Sequence, residues 1–595
     1  MTLRNAWRRH SVPVLLALVP AVVWLFPILT DPFHTVVGWE GDNLFFIRQI
    51  WWVKHSLLDL GIAPWFDPSS YWPHGYAMTR GELTLANSLP VLPITAVFGP
   101  VAAYNLMLTA GFFLTGIATY AWAYRLTESR GAAMVAAVIA VMAPYRLARA
   151  SGHLNVITTQ WFCFALWTFE EYWRANTTDP QLPQARRWAI ALGLSLGLIA
   201  LSSWYSAYQA CLLIPVYVVA RSLQRPAVWR TWRWYSGLAV AMTVAVVLVL
   251  PALVPYLRAG WHGELTRQFS ETMYWSLNAY DFFIPNAEHP LLNRWMQDRF
   301  PKETSEWPGR AVSLGYVAIA LAVVSLIANR RKKYVVLPLV AVGVVSASIA
   351  LGPVLHWADK PVLVPVSHST IKAVDWSFSK VRPMSTYRAP MRKAQEVWIP
   401  LPALAMWLVV PGTSGMRALS RFGYWTLLMT AGLAALGTQW LLRRVRGARS
   451  RRVVAIVLAL GVTLECWSSK TLTRWEPRPV DRWISTLAEN DVVLELPVTA
   501  AGRPAQDYYV TVQQHRTILG PRGDSFPPPV LFERWPVLGQ LPSDAALQQI
   551  RLWGATLLVI DAVSTERWPD WEQMFHRAKA REVARFGETR VYRLN

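Results

Sequence analysis

The chain has 595 residues, 53% of them hydrophobic and only 16% charged, a balance that excludes an ordinary soluble globule and fits a polytopic membrane protein. Its formal charge of +22 is dispersed in short basic segments between apolar runs. That is how loop charges orient membrane spans, and it argues against a nucleic-acid-binding stripe. The three cysteines, Cys163, Cys211 and Cys466, all lie in apolar segments, which argues against a disulfide framework or a zinc site.

Residues 12–30 form an uncharged run of the length that crosses about 30 Å of hydrocarbon. Arg4, Arg8 and Arg9 precede it, so the N-terminus is expected to be cytoplasmic and the following loop external. That loop, 31–88, brings Glu40 and Asp42 just past the span. It continues into an amphipathic helix near 43–60, expected to lie on the membrane surface. The run 89–124 is too long for one crossing, and Gly99-Pro100 divides it into a half-helix and a full span. Further spans are expected at 131–145, 153–169, a hairpin within 188–220, 236–257, 311–328, 334–351, 422–442 and 453–467. Segment 397–411 is short and carries Pro400, Pro402 and Pro411. It reads as a re-entrant or surface half-helix, tolerated where protein covers the broken backbone.

The expected fold is therefore an α-helical polytopic membrane protein of about eleven spans plus half-helices. The membrane part is 1–472, with external loops 31–88, 258–310 and 352–420. From about 473 the composition changes to that of a soluble α/β unit, 473–595, on the external side. Strands are expected at 492–496 and 556–560, helices at 543–553 and 568–579, and a hairpin from 582–586 to 590–594. This unit has no Gly-rich phosphate loop.

Ionisable residues outside the cytoplasmic loops gather on one face: Asp31, His34, Glu40, Asp42, Arg80 and Glu82; Arg146, Arg149 and His153; Glu264, Arg267, Asp281, His289 and Arg294; and Lys372, Arg382, Arg388 and Arg392. Carboxylates beside cations suit transfer of a sugar from a lipid phosphate. A carboxylate can accept the proton of an attacking hydroxyl, while Arg, Lys or His compensates the charge gathering on the departing phosphate. A transporter or flippase of lipid-linked substrates would instead place charges within spans and show two related halves. A non-catalytic envelope assembly protein is the third reading.

Glu40-Gly41-Asp42 after the first span, the WFDPSSYWPHG segment from Trp65 to Gly75, RASGHLN from Arg149 to Asn155 and DFFIPNAEHPL from Asp281 to Leu291 together resemble the GT-C superfamily of integral membrane glycosyltransferases. The resemblance covers most of the chain through Trp467. It implies a polyprenyl-phosphate-linked sugar donor, an external active site, inversion at the anomeric carbon, and a glycan, lipid or protein acceptor in the plasma (inner) membrane environment. It also implies an acidic catalytic base in the first external loop, which maps to Asp42. Glu40, set apart from it by Gly41, is the alternative. The donor phosphate is then expected at Arg146, Arg149, His153 and Arg80, with His74, Glu82, Asp281 and His289 lining the substrate.

Each assignment has a plainer counterpart. Asp42 also suits a helix cap, Arg146, Arg149 and His153 also suit snorkelling to headgroups, and Asp281 and His289 also suit loop packing. His74 and Glu82 either help Asp42 hold a divalent cation, since hard cations take carboxylate oxygens, or hydrogen-bond within a folded loop.

Overall fold

The computed structural model describes residues 3–177, 182–262, 265, 267, 269–293, 307–330, 333–381, 392–393, 396–488, 490–498, 504–521, 526–561 and 568–594. Each of the eleven expected crossings is represented by a helix: α1 (Leu3–Thr30), α3 (Pro100–Thr127), α4 (Arg130–Val141), α5 (Gln160–Thr177), α6 (Leu182–Ser202), α7 (Trp204–Ser222), α8 (Trp232–Trp261), α9 (Tyr316–Ala328), α10 (Lys333–Ala350), α11 (Gly423–Arg444) and α12 (Ala448–Cys466). Between α1 and α3 lies α2 (Asp42–Lys54). Among the described residues, six helices are long and apolar enough to cross a membrane; α9 and α10 are apolar but shorter.

The bundle is organised around α4. Its sequence, RGAAMVAAVIAV, is rich in alanine, and small residues let neighbouring backbones approach closely where no hydrophobic gradient drives helices together. It packs against α1, α3, α11 and α12. The apolar stretch Arg130–Arg149 that it opens is 94% buried, whereas that of α8 is 22% buried. The half-helices also form. Leu92–Phe98 stops at Gly99, whose φ of +84° is left-handed, and Pro100 then opens α3. Pro402–Val409 is an eight-residue helix entered through Pro402.

One expectation is corrected. The amphipathic helix near 43–60 does form, as α2 followed by a wider turn over His55–Asp59, but it is covered by protein rather than lying bare to headgroups. Residues Asn43 to Val53 are all buried. The polar face meant for headgroups is covered by helix α13 (Ala505–Gln513) from the C-terminal segment. Arg48 on α2 pairs with Asp507 on α13 at 3.0 Å and with Asp67 at 3.3 Å, all three side chains buried.

The C-terminal segment forms a five-stranded sheet of β3 (Val492–Leu496), β4 (Arg516–Thr517), β5 (Leu557–Asp561), β6 (Arg581–Phe586) and β7 (Thr589–Arg593), in the order β4-β3-β5-β7-β6. β3 runs parallel to β4 and β5, and the β6–β7 hairpin closes the far edge antiparallel. The near-continuous apolar run Val492, Val493, Leu494 suits a strand covered on both faces, and all five β3 residues are buried. Two three-residue strands tie this unit to the first loop. β1 (Thr35–Val37) pairs antiparallel with β2 (Leu472–Arg474) just past α12.

The WFDPSSYWPHG segment is the second tie. Thr517 N donates to Ser69 O at 2.7 Å and Trp72 N to Thr517 O at 2.9 Å. The Tyr71 hydroxyl donates to Pro521 O at 3.0 Å, and Arg516 stacks on Trp72 at 4.1 Å.

Candidate functional site

The site begins where α1 ends. Asp31 accepts hydrogen bonds from Thr35 Oγ1 at 2.8 Å and pairs with His34 at 2.9 Å and Arg474 at 3.2 Å, holding the exit of the helix against β2. His34, Thr35 and Arg474 stabilise its ionised form, and its pKa is lowered from the ordinary carboxylate range.

The chain then passes Gly38, whose φ is +109°. A Cβ there would stand 1.9 Å from the carbonyl oxygen of Ser151, so only glycine lets the loop after α1 touch the turn that carries Ser151. Asn43, fully buried, closes the turn: its Oδ1 accepts from Gly41 N at 3.2 Å and Leu44 N at 3.0 Å. Asp42 therefore occupies the first helical position, where the positive end of α2 favours its charge.

Across the loop junction the Asp42 carboxylate meets His153. Oδ2 lies 3.4 Å from Nε2, with the two side chains 28% and 19% exposed. The same Nε2 lies 3.5 Å from Nη1 of Arg149. Arg149 is the last residue of the helix Pro144–Arg149, and His153 N bonds back to Arg149 O at 2.9 Å, so one extra turn stacks the two side chains. Arg149 also donates to Gly309 O at 3.2 Å and lies over the Tyr145 ring at 5.5 Å. The result is a row of carboxylate, imidazole and guanidinium. A single ring nitrogen cannot donate to Asp42 and accept from Arg149 at once. An anion taking the Arg149 N–H groups would leave the imidazole N–H to Asp42 or to that anion.

The other candidates have separate places. Arg146, fully buried, turns away and donates to Thr115 Oγ1 at 3.0 Å, Ile157 O at 2.8 Å and Thr159 Oγ1, under the Phe112 ring. Glu40 accepts from Ala505 N at 3.1 Å, so it abuts the start of α13. Arg80 faces the C-terminal segment, its carbonyl accepting from Phe526 N at 2.7 Å. His74 is exposed, at the turn that begins at Tyr71.

Glu82 is buried and joins three loops: Oε2 accepts from Asn155, and Oε1 accepts from Ser203 Oγ at 2.8 Å and Tyr205 N at 3.2 Å. Asp281 caps its own short helix, accepting from Asn278 N at 2.8 Å. His289 accepts from Leu291 N and Leu292 N through Nδ1, and its Nε2 lies 3.0 Å from Leu464 O at the end of α12. Glu264, Arg294, Arg382 and Arg388 lie outside the described residues.

Two features escape the sequence reading. Arg310, there only a loop terminus, is buried against Asp359 at 2.7 Å and donates to Ser276 O at 3.1 Å. Asn155, Ser203 and Tyr205 lie far from Glu82 in the sequence, with no local spacing that shows it as their common partner. Glu40, Asp42 and Glu82 face different partners, a guanidinium stands beside His153, and among the described residues no three possible ligands converge.

A family model described as a domain of unknown function (DUF6311) matches residues 88–376, just under half of the chain. No curated protein matches the sequence. Among solved structures, the arabinofuranosyltransferase AftD from Mycobacteria aligns over 100% of this chain and 42% of its own, at 13% identity and a TM-score of 0.53. The chain has the GT-C fold. It spans less than half the length of that enzyme. Further likenesses are the Archaeoglobus fulgidus oligosaccharyltransferase in complex with Zn and sulfate (12% identity, 95% of this chain, 70% of that one, TM-score 0.49) and ArnT from Cupriavidus metallidurans bound to undecaprenyl phosphate (14%, 98% and 98%, TM-score 0.41). In this fold, the loop after α1 brings Asp42 against His153, with Arg149 beside that imidazole.

Proposed function

We propose that this protein is a membrane glycosyltransferase that moves a sugar from a polyprenyl phosphate to a hydroxyl of an envelope glycan, lipid or protein acceptor, with inversion. The observation that carries the reading is the row Asp42, His153, Arg149: a partly exposed carboxylate joined through an imidazole to a guanidinium, at the junction of the first two outer loops.

Asp42 takes the proton of the acceptor hydroxyl, and the freed oxygen pair attacks the anomeric carbon from the side opposite the phosphate. The sugar–phosphate bond breaks as the new glycosidic bond forms, and the phosphate leaves with that electron pair. Arg149 and His153 compensate its charge. Arg146 backs the helix that carries Arg149, and Glu82 fixes the loops against one another. Glu40, held by the start of α13, places the C-terminal unit at the edge of the site. In this reading the membrane part is 1–472, the N-terminus is cytoplasmic, and the unit from 473 shares the outer face with Asp42.

The test is transfer of labelled sugar from a synthetic polyprenyl-phosphate sugar by the full chain in proteoliposomes. Asp42→Asn should abolish release of prenyl phosphate while Glu40→Gln largely keeps it; full turnover by Asp42→Asn would defeat the assignment. Orientation is checked separately. In a Cys211→Ser background, an impermeant maleimide should reach Phe532→Cys from outside and Arg449→Cys only after permeabilisation.

A further inference from the structure

On the face opposite Asp42, the C-terminal end of α5 meets the N-terminal ends of α6 and α8, and α6 packs against both neighbours. The α6–α8 crossing is closest at Gly193 and Gly197, spaced as a small-xxx-small pair. A Cβ on Gly193 would stand 2.4 Å from Ala241 O, and one on Gly197 2.7 Å from Leu248 Cδ2. Two turns nearer the helix ends, the three helices border a half-open cleft of about 110 Å³, lined by Tyr172, Asn176, Ser236 and Val240, with the exposed side chains of Arg186 and Arg233 at its rim. That is several times the ~10–15 Å³ needed to admit one water.

One wall is fixed. The Tyr172 hydroxyl donates to Trp234 O at 2.6 Å, its ring stacks on buried Trp234 at 5.1 Å, and a Cβ on Gly237 would fall 2.4 Å from that hydroxyl. The rim carries the charge. Three neighbouring cations are already engaged: Arg221 with Glu170, Arg174 with Glu128, Arg225 with the Thr177 carbonyl. Among the described residues, no carboxylate lies within ion-pair distance of Arg186 or Arg233. Both α6 and α8 begin here, which adds two positive dipole ends.

The level is that of a membrane interface. Trp232 and Tyr235 beside the cavity are 81% and 43% exposed, as interfacial aromatics are, and the span of α8 that runs on from them is only 22% buried.

We infer that this cavity binds the phosphate headgroup of an anionic phospholipid from the surrounding leaflet, with Arg186 and Arg233 on the phosphate and the exposed face of α8 along the acyl chains. Basic pockets between membrane helices serve such headgroups. The site is remote from Asp42 and independent of the proposed transfer reaction.

The experiment is native mass spectrometry of the full chain released from nanodiscs of phosphatidylcholine doped with phosphatidylglycerol. The wild type should retain phosphatidylglycerol in preference to phosphatidylcholine. Arg186→Gln with Arg233→Gln should weaken that retention about thirtyfold, the factor two charge contacts at a leaflet surface supply. Lysine at both positions should restore most of it, since an ammonium also serves phosphate as a point charge. Val240→Phe, which fills the cavity and keeps both arginines, should likewise lower retention; circular dichroism and size exclusion confirm folding. Unchanged phosphatidylglycerol retention by the double Gln variant, or equal retention of the two lipids by the wild type, would overturn the inference. So would inorganic phosphate competing as well as the lipid, which would mark a free-phosphate site.

Discussion

Helix α2 carries two ionic groupings less than two turns apart, and they differ in every physical respect. At its first residue, Asp42 faces His153 at 3.4 Å in a partly exposed setting, and Arg149 follows at 3.5 Å. Further along, Arg48 is sealed between Asp67 and Asp507, with Ser70 bonding both Arg48 and Asp67. The buried group is closed and holds the C-terminal unit to the bundle. The open group has bonds too long to be optimal and a ring nitrogen asked to serve two neighbours. One helix thus separates a sealed fastening from a partly exposed ionic grouping.

The sharpest way to break this comparison is to neutralise each in turn. Asp42→Asn should lower transfer by about 10²–10⁴-fold, the usual contribution of a general base, and leave thermal unfolding nearly unchanged. A shift in melting temperature comparable with the loss of rate would make Asp42 a fastening as well. Arg48→Ala should do the reverse. It leaves two buried carboxylates without their cation, costing about 3–5 kcal/mol, and should appear as early, separate melting of the C-terminal unit. Replacing Arg48, Asp67 and Asp507 together with Met, Leu and Leu should recover most of that loss.

A pH scan sharpens what burial means on this face. Desolvation drives the pKa of His356 down to about 4, from an ordinary 6.5. Its Nδ1 lies 2.9 Å from Val354 O, and Arg310 adds repulsion while Asp359 opposes it. The folded state therefore resists protonation. Its stability is fully present above pH 6.5 and falls as pH drops from 6.5 towards 4, by about 3 kcal/mol. His356→Gln should flatten that slope in pH-dependent unfolding; an identical slope would remove His356 as its source. The smallest effect is expected at the loop junction. Glu82→Gln should cost about 1.5–3 kcal/mol, as loss of hydrogen bonds to a charged acceptor does, and loosen amide exchange at Ser203 and Tyr205.

The membrane helices were legible because an apolar run of span length has few alternatives in a chain this poor in charge. The two half-helices were legible through Gly99-Pro100 and Pro402. The surroundings of α2 were not, because an amphipathic pattern says only that one face is polar. Whether headgroups or Asp507, far along the chain, meets that face is settled by tertiary packing. The same limit applies within one short helix. The sequence placed Arg146, Arg149 and His153 together, yet helical geometry brings Arg149 to His153, which faces Asp42, while Arg146 enters the packing around Thr115 and Thr159. Strands of two or three residues, such as β1, β2 and β4, carry too little pattern to stand out, although β1 and β2 decide where the C-terminal unit rests.

Gly38 gives this arrangement an exacting tolerance. Because the Ser151 carbonyl fills the space a side chain would need, the gap between Asp42 and the His153–Arg149 pair is gauged by a missing atom. A single methyl at position 38 would act as a wedge, prying the carboxylate from its cationic neighbours without altering any of them.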